Sequence, residues 1–269
     1  MTRIIAVANQ KGGVGKTTTS VNLAASLALS DSRVLLVDLD PQGNATMGSG
    51  VDKTRIALSV YDWLMHERAL TDILERCPSG YEIAPASIEL TAAEVELLTA
   101  EHRESRLRSA LAPVAERYDF VIIDCPPSLN MLTVNALVAA EGVLIPMQCE
   151  YYALEGLSAL LDTIEGVRRR ANPRLEIEGI LRTMYDPRNS LTRDVSRQLI
   201  KHFGDKVFRT VIPRNVRLAE APSHGLPVVL YDRLSRGAVA YMALAGELKR
   251  TPRFPSDSNS VPLLRNDSR

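Results

Sequence analysis

Apolar strand-like segments alternate with helix-like segments along the chain. This alternation predicts a doubly wound α/β fold with a mainly parallel sheet and helices on both faces. The alternation implies right-handed crossovers between parallel strands. The strand-like runs cover residues 3–8, 34–38, 81–85, 119–124, 142–147, 177–184 and 207–212. One run ends in a glycine-rich loop and two end in an acid followed by proline. Open α/β sheets bind their ligands at such strand ends.

The chain is predicted to form a single domain over residues 1–250. Its 269 residues, of which 45% are hydrophobic, are enough to bury one substantial core. The sequence contains no internal repeat and no low-complexity block that would indicate a second unit. Residues 251–269 are rich in proline and polar side chains, so we expect a flexible C-terminal tail there.

The first predicted strand, residues 3–8, continues into a glycine-rich loop and then into a helix. The loop consists of Lys11, Gly12, Gly13, Val14, Gly15, Lys16, Thr17 and Thr18. Its glycines allow a tight turn that aims backbone N–H groups inward, and the following helix adds the positive end of its dipole. Lys16 offers a charge to the β and γ phosphates of a nucleotide, and Thr17 offers a hydroxyl to Mg²⁺. We therefore expect a nucleotide-binding protein.

The loop departs from the ordinary pattern G-x-x-x-x-G-K-[ST]. That pattern needs glycine at position 10, where this chain has Gln10 followed by an extra lysine, Lys11. A plain connecting turn would have no role for two lysines and two threonines at fixed offsets. K-G-G-x-G-K-T-T is the deviant Walker A motif, and in it the chain resembles the ParA/MinD group of ATPases. The resemblance implies a P-loop NTPase fold of the deviant Walker A type, ATP and Mg²⁺ as cofactors, and contact between Lys11 and the nucleotide of a partner subunit.

Acidic residues end two further predicted strands. The second run ends in Asp38 and, after one leucine, Asp40, and the fourth run ends in Asp124. Carboxylates there can serve Mg²⁺, and Asp124 stands at the Walker B position. An aspartate at a strand end can also simply cap the next helix, but the preceding phosphate loop favours the metal role. Asp38 and Asp40 point to opposite sides if the segment stays extended, so we expect them to have different roles.

The resemblance also implies roles for these side chains. Asp40 would orient the attacking water, and the catalytic residues would be Lys11, Lys16 and Asp40. Asp38 would support the metal and its waters, in a metal site made of Thr17, Asp38 and Asp124. Phosphoryl transfer asks little covalent chemistry of a protein, so one positioning carboxylate, lysines and Mg²⁺ would suffice.

Three segments make the chain resemble the ParA/Soj branch of the group more closely than the MinD branch. They are residues 38–44, 151–156 and 211–225. The resemblance extends over about residues 3–250. It implies that Pro213 and Asn215 line the adenine pocket beside the loop residues, and that Arg214 and Arg217 contact DNA.

Charge is distributed unevenly along the chain, although the formal net charge is +0. Residues 1–150 carry 12 basic and 19 acidic side chains, whereas residues 151–250 carry 17 and 11. The second part is therefore the candidate nucleic-acid face. Its predicted DNA-binding residues are Arg193, Arg197, Arg214 and Arg217. Further candidates are Lys201, Arg233, Arg236 and the triple arginine 168–170, which could equally be a solvated helix end.

These features predict an ATP-operated dimer switch for chromosome or plasmid partitioning. By resemblance, the ATP-bound homodimer binds double-stranded DNA non-specifically, and a ParB-type centromere-binding protein stimulates hydrolysis and release. Doubling a weak basic patch would make DNA binding depend on dimerisation. We expect a cytoplasmic, nucleoid-associated protein without a membrane partner.

Other functions remain open in the sequence. A MinD-like membrane-positioning ATPase would end in an amphipathic helix, for which residues 261–269 are short and broken by proline. A metabolic enzyme on the same fold, such as a nitrogenase-iron-protein relative or a ligase-like synthetase, is opposed by the cysteine count and by the length of the family resemblance. Nothing in the sequence predicts a membrane span or a signal peptide.

The three cysteines show no metal-binding spacing. Cys77, Cys125 and Cys149 indicate a reducing compartment and oppose an iron–sulfur centre. Cys125 directly follows Asp124, and we expect it to be a small buried residue beneath the phosphate site rather than a reactive thiol.

Overall fold

Eight strands form one central sheet in the computed structural model, which describes residues 2–150 and 153–251. The strands are β1 (Arg3–Val7), β2 (Val34–Asp38), β3 (Glu75–Arg76), β4 (Glu82–Ala84), β5 (Phe120–Asp124), β6 (Gly142–Gln148), β7 (Glu176–Tyr185) and β8 (Val207–Pro213). Their order across the sheet is β3-β4-β2-β5-β1-β6-β7-β8. Neighbouring strands run parallel, except that β3 is antiparallel to β4. The predicted, mainly parallel sheet is confirmed.

Each predicted strand-like run overlaps one strand of the sheet, and one strand was not predicted. β3 has two residues, Glu75 and Arg76, and both are exposed. A strand this short and polar produces no apolar run, so periodicity could not reveal it.

Helices connect the strands and cover both faces of the sheet. The described α-helices are α1 (Lys16–Ala28), α2 (Asn44–Gly48), α3 (Val60–Met65), α4 (Leu70–Ile73), α5 (Leu90–Glu96), α6 (Arg106–Leu111), α7 (Met131–Ala139), α8 (Ala153–Arg170), α9 (Ser190–Phe203), α10 (Val216–Glu220), α11 (Val228–Tyr231) and α12 (Arg236–Arg250). Short 3-10 helices lie at Ala115–Arg117, Gly204–Lys206 and Ala221–His224.

Alternate residues of the inner strands face opposite layers of the core. On β1, Ile5 and Val7 pack with α1 and α12, whereas Ala6 packs on the other face, with α5 to α9. Leu23 of α1 and Leu244 of α12 are fully buried, and burial of one such side chain contributes about 1.5–3 kcal/mol. The continuous apolar character of these strands follows from burial on both faces.

The register of the central strands places the candidate site. Val7 at the end of β1 and Asp38 at the end of β2 both lie level with Asp124 at the end of β5. The loop after β1, the acids after β2 and Asp124 therefore meet at one edge of the sheet, where α1 begins with Lys16.

Two segments that bear on the sequence predictions lie outside the described residues. They are residues 252–269, which hold nearly all of the predicted tail, and Tyr151 with Tyr152 from one of the resembling segments. Among the described helices, none combines the length and the apolar character that crossing a membrane requires.

Candidate nucleotide and metal site

The glycine-rich loop has the backbone shape of a phosphate cradle. Gly13 and Gly15 have φ angles of 72° and 86°. These angles lie in the left-handed region, where a residue with a side chain is strained. A Cβ at Gly12 or Gly13 would meet nothing within 4 Å. No protein atom therefore fills the space over these two residues, and that space is open to an anion. The N-terminus of α1 has no side-chain cap, so its N–H groups are available to the same anion.

Three side-chain hydrogen bonds hold the loop in place. Asn9 donates through Nδ2 to the Pro146 carbonyl at 2.7 Å, and its Oδ1 accepts from the Lys11 N–H at 2.9 Å. Thr183 of β7 donates to the Val14 carbonyl at 2.8 Å. The loop is thus fastened to β6 and β7, which limits the rearrangement needed when phosphate binds.

Lys16 lies inside the loop and is 7% exposed. Its ammonium donates to the Lys11 carbonyl at 3.2 Å. Burial lowers the pKa of Lys16, and the negative charges of Asp124 and Asp40 oppose that shift. The lysine is therefore already inside the cradle, where a phosphate would lie against it.

Asp124 and Asp38 form a buried pair of carboxylates at the strand ends. Asp124 accepts hydrogen bonds from Thr17 Oγ1 at 2.8 Å and Ser20 Oγ at 2.7 Å. Asp38 accepts from the N–H of Thr46 at 2.8 Å and from its hydroxyl at 2.7 Å. Burial, followed by the neighbouring charge, raises the pKa of Asp124, and burial raises that of Asp38. Such a pair gains stability from a cation placed next to it.

The residues present fit Mg²⁺ bound together with phosphate. Thr17 and Asp124 would hold the metal and its waters, while Asp38 is fully buried and supports the segment around Thr46. Among the described residues, no group of three or more His, Cys, Asp or Glu could hold a metal by itself. Mg²⁺ accepts phosphate and water oxygens readily, so a nucleotide can complete the site.

Asp40 lies directly before the turn formed by Pro41 and Gln42. Its N–H donates to Asp38 Oδ1 at 3.1 Å, and its own Oδ1 accepts from the Gln42 N–H at 3.0 Å. The Asp38 carboxylate thus binds the backbone two residues ahead, before the chain turns at Pro41 and Gln42. The negative charge of Asp40 still acts on Asp124 and Lys16, so it belongs to the same site.

A cavity of about 280 Å³ lies beside the loop. It is mainly apolar and is lined by both predicted adenine-pocket residues, Pro213 and Asn215. Asn215 Oδ1 is buried and has no hydrogen-bond partner among the described residues. Leaving such an oxygen unpaired costs about 1–3 kcal/mol, so the cavity fits a ligand that carries an N–H donor, as an adenine amino group does.

Lys11 does not join Lys16 in the cradle. Its ammonium lies 2.8 Å from Glu150 Oε2, and the two side chains are 40% and 46% exposed. Lys11 therefore lies at the surface, beside the loop to which its backbone belongs.

The predicted DNA-binding residues do not lie together on one element. Arg193 and Arg197 are exposed on α9, which packs on one face of the sheet. Arg214 and Arg217 lie at the start of α10, which packs with the opposite face. Arg217 is already paired with Glu220 at 2.7 Å and with an aspartate at 3.3 Å.

Sequence reasoning missed several residues that support the site. Ser20 and Thr46 hold the two buried carboxylates, Thr183 fixes the loop, and Glu150 pairs with Lys11. Their partners are distant along the chain, and serine or threonine at a strand end or in a helix has no distinctive pattern. Cys125 is buried as expected, and burial raises the pKa of its thiol.

This chain is similar to known proteins over nearly its whole length. A family model described as an AAA domain matches residues 2–177. The sporulation initiation inhibitor protein Soj of Bacillus subtilis is 55% identical over 249 residues, which cover 92% of this chain and 98% of that protein. The chromosome partitioning protein ParA of Myxococcus xanthus is 52% identical over 256 residues, covering 94% and 90%.

A solved structure shares the fold. It is described as cobyrinic acid a,c-diamide synthase from Mycobacterium smegmatis with bound ATP analog and magnesium, and it superposes with a TM-score of 0.83. Its sequence is 42% identical, and the match covers 93% of this chain and 95% of that one. Nucleotide and Mg²⁺ thus bind within this fold family. The family match and the relatives at 50–55% identity show that this chain is an ATPase of the ParA/Soj family of partitioning proteins.

Proposed function

We propose that this partitioning ATPase is an ATP-operated dimer switch. Two subunits close over two ATP molecules, the dimer binds double-stranded nucleoid DNA without sequence specificity, and a ParB-type partner stimulates the hydrolysis that releases it. The observation that carries this proposal is the placement of Lys11, which lies outside its own phosphate cradle although it belongs to the phosphate loop. The relatives named for chromosome partitioning support the cellular role.

Lys11 is placed to contact the phosphates of a nucleotide bound by a second subunit. Lys16 already occupies the cradle, so a second lysine is not needed there. The Lys11–Glu150 pair is half-exposed, and such surface pairs are worth about 0–1 kcal/mol. A phosphate group presented by a second subunit would therefore compete with Glu150 easily.

Hydrolysis would use the buried charges at the strand ends. Backbone N–H groups of the loop and Lys16 bind the phosphates, and Thr17 and Asp124 hold the metal site. Mg²⁺, when bound, neutralises negative charge on the phosphates. Asp40 orients the attacking water, because among the described residues its side chain accepts one hydrogen bond and keeps an oxygen available.

DNA binding would depend on the basic second half of the chain. Arg193, Arg197, Arg214 and Arg217 supply phosphate contacts, and each subunit alone offers few of them. Joining two subunits presents both sets at high effective concentration, so affinity rises steeply on dimerisation. Hydrolysis then separates the pair and DNA is released.

Light scattering combined with a plasmid gel shift tests this cycle. The chain should be a monomer without nucleotide and a dimer with Mg-ATP, and only the dimer should shift plasmid DNA. Equal DNA binding with and without ATP would contradict the switch. Flotation with anionic liposomes and ATP is the matching test of a MinD-like function, and we expect no flotation.

A further inference from the structure

A second cavity, of about 610 Å³, lies away from the nucleotide site. It is mainly apolar and shares no lining residue with the cavity beside the phosphate loop. One wall comes from the end of α3 and the start of α4, and the other comes from α6 and the turns on both sides of it. We call it the α3–α6 cavity. Pockets of this size and character in proteins bind small organic molecules.

Buried apolar side chains line the α3–α6 cavity. Trp63 is 5% exposed, and Leu64 and Leu70 are each 3% exposed. Ala110 and Pro113 line the opposite wall. The apolar body of a ligand would leave water on entering this space, which favours binding. Trp63 is also the single tryptophan of the chain, so its fluorescence reports on what occupies the cavity.

One guanidinium group joins the two walls. Arg106 is half-buried, and it donates through Nη1 to the Leu64 carbonyl at 3.0 Å and through Nε to the Glu101 carbonyl at 3.4 Å. Those carbonyls belong to opposite walls, so they fix the guanidinium between them. Arg106 is in no ion pair within the part of the chain that the structure describes. Its remaining N–H groups can therefore donate to a ligand, and a carboxylate matches their geometry.

The other charges at the cavity restrict the charge of the ligand. Arg68 lines the cavity together with Arg106, but Glu67 and Glu101 line it as well, and His102 is the remaining titratable side chain. Two acids offset two arginines, so a ligand with several negative charges gains nothing from the cavity as a whole. DNA and nucleotides are therefore disfavoured. A ligand with one carboxylate and an apolar body is complementary to both the guanidinium and the walls.

The backbone of both walls has an uncommon conformation. Glu67 and His102 each have a φ angle of 52°. Only two other described residues besides glycine have a positive φ, and one of them, Met184, lines the cavity beside the phosphate loop. Glu67 follows the end of α3, where a left-handed residue is common but is usually glycine. Such strained residues persist where their surroundings hold them, and they cluster at ligand sites.

We propose that the α3–α6 cavity is a binding site for a small amphiphilic carboxylate. The apolar body lies against Trp63, and the carboxylate accepts hydrogen bonds from the Arg106 guanidinium. The two backbone carbonyls already orient that group, so little rearrangement accompanies binding. This site is separate from the ATP site, and the inference does not rest on the proposed switch.

Octanoate, a linear carboxylate, tests the site directly. Titrated at neutral pH into the parent chain without nucleotide, it should change the Trp63 fluorescence saturably, and isothermal titration calorimetry should give the same affinity. Octylammonium has the same alkyl chain with the opposite charge, and acetate is the carboxylate with almost no apolar body. Each should bind at least about tenfold more weakly than octanoate. Equal binding of octylammonium or acetate would overturn the proposal.

Two substitutions locate the binding, each with a matched control. Arg106→Gln should weaken octanoate binding by about tenfold or more. Arg108→Gln is its control, because Arg108 is on the same helix and donates to the Ala171 carbonyl at 3.1 Å, but lies outside this cavity. Ser109→Leu adds bulk at an exposed position that lines the cavity, so it should also weaken binding. Ser190→Leu, at an exposed position of α9, is its control. Both controls should bind like the parent.

Several results would overturn the site. Parent-like octanoate binding by either Arg106→Gln or Ser109→Leu would do so, and Ser109→Leu decides the matter if Arg106→Gln fails to fold. Equal loss in the control variants would reduce the effect to general charge or bulk. Calorimetric binding without a change in Trp63 fluorescence, or displacement of octanoate by Mg-ATP, would place the carboxylate elsewhere. Dimerisation and DNA binding are not measured here, so the switch and this site are rejected by different results.

Discussion

Asp38 and Asp124 end two adjacent strands and Asp40 follows two residues after Asp38, and the number of hydrogen bonds to each carboxylate differs. Asp38 accepts three, from the Asp40 backbone and from Thr46, and is fully buried. Asp124 accepts two hydroxyl donors from α1. Asp40 accepts one, from the Gln42 backbone, and is 8% exposed. Of the three, Asp40 has the most capacity left for a water molecule.

Removing the Asp40 carboxylate should stop turnover without removing nucleotide. Asp40→Ala leaves the loop, Lys16 and the Thr17–Asp124 pair in place, so ATP binding should persist. Loss of one aligning group commonly lowers a rate by about 10²–10³. Phosphate release and dimer lifetime, measured in one preparation, should show a long-lived ATP dimer.

Two other results for Asp40→Ala would each give Asp40 a different role. Turnover at the parent rate would remove Asp40 from catalysis. Loss of turnover together with loss of the dimer would make it a structural residue of the turn after β2.

Lys16→Ala should abolish ATP binding, because it removes the buried cation within the cradle. A charge-assisted hydrogen bond is worth about 1.5–3 kcal/mol, and the substitution also leaves the acids beside it without a cation. Titration with a fluorescent ATP analogue measures the change in affinity. Lys249→Ala, which removes a lysine that donates to the Ser30 carbonyl, is the matched control and should bind like the parent. Unchanged affinity of Lys16→Ala would reject the phosphate-loop assignment.

The segment from β8 into α10 serves two predicted ligands. Pro213 and Asn215 line the cavity beside the loop. Arg214 lies between them in the sequence, and Arg217 follows two residues after Asn215, in α10. Nucleotide binding that orders this segment would also position its arginines. This segment is therefore the element on which to measure coupling between nucleotide and DNA binding.

Arg217 and its partner Glu220 allow a paired test of DNA contact. Arg217→Ala should weaken non-specific DNA binding and lower the slope of log affinity against log salt by about one for each DNA phosphate that the arginine neutralises. Glu220→Gln removes the acid that lies 2.7 Å from the Arg217 guanidinium, so it should strengthen binding. Gel shifts with ATP at several salt concentrations measure both. Parent-like shifts for Arg217→Ala across all salts would move the DNA contact to another element.

The strands buried on both faces show the clearest pattern in the sequence. β1, β2 and β5 are continuous apolar runs, and their ends carry the loop and the acids, so their place at one sheet edge follows from parallel packing. β3 could not be predicted, since two exposed polar residues form a strand only because β4 lies beside them.

The residues of the site likewise fall into those that the sequence could predict and those that it could not. The loop residues and the strand-end acids form motifs contiguous in sequence, whereas their supports come from distant parts of the chain. Thr183 meets the Val14 carbonyl across 169 positions, and Glu150 meets Lys11 across 139. No local pattern marks such contacts, because the packing of the sheet creates them.

The nucleotide edge carries an excess of negative charge, so two subunits that meet there need a cation between them. The first 150 residues are acidic and include the phosphate site, which a bound nucleotide would make more negative still. Cations that approach this edge from outside are therefore attracted to it. Lys11 and Glu150 lie half-exposed there, so each subunit offers one such cation to another.

Lys11→Ala should therefore keep ATP binding and lose ATP-dependent dimerisation. Lys16 and the loop backbone still bind the subunit's own nucleotide, but the ammonium that would reach the other subunit's phosphates is gone. Glu150→Gln is the matched variant: it frees Lys11 from an ion pair worth about 0–1 kcal/mol, so it should dimerise at least as tightly as the parent. Light scattering over a range of protein concentrations with Mg-ATP, beside a nucleotide titration, measures both properties. A Lys11→Ala variant that dimerises like the parent would confine Lys11 to its own subunit. Loss of dimerisation in Glu150→Gln would show that the ion pair itself builds the interface.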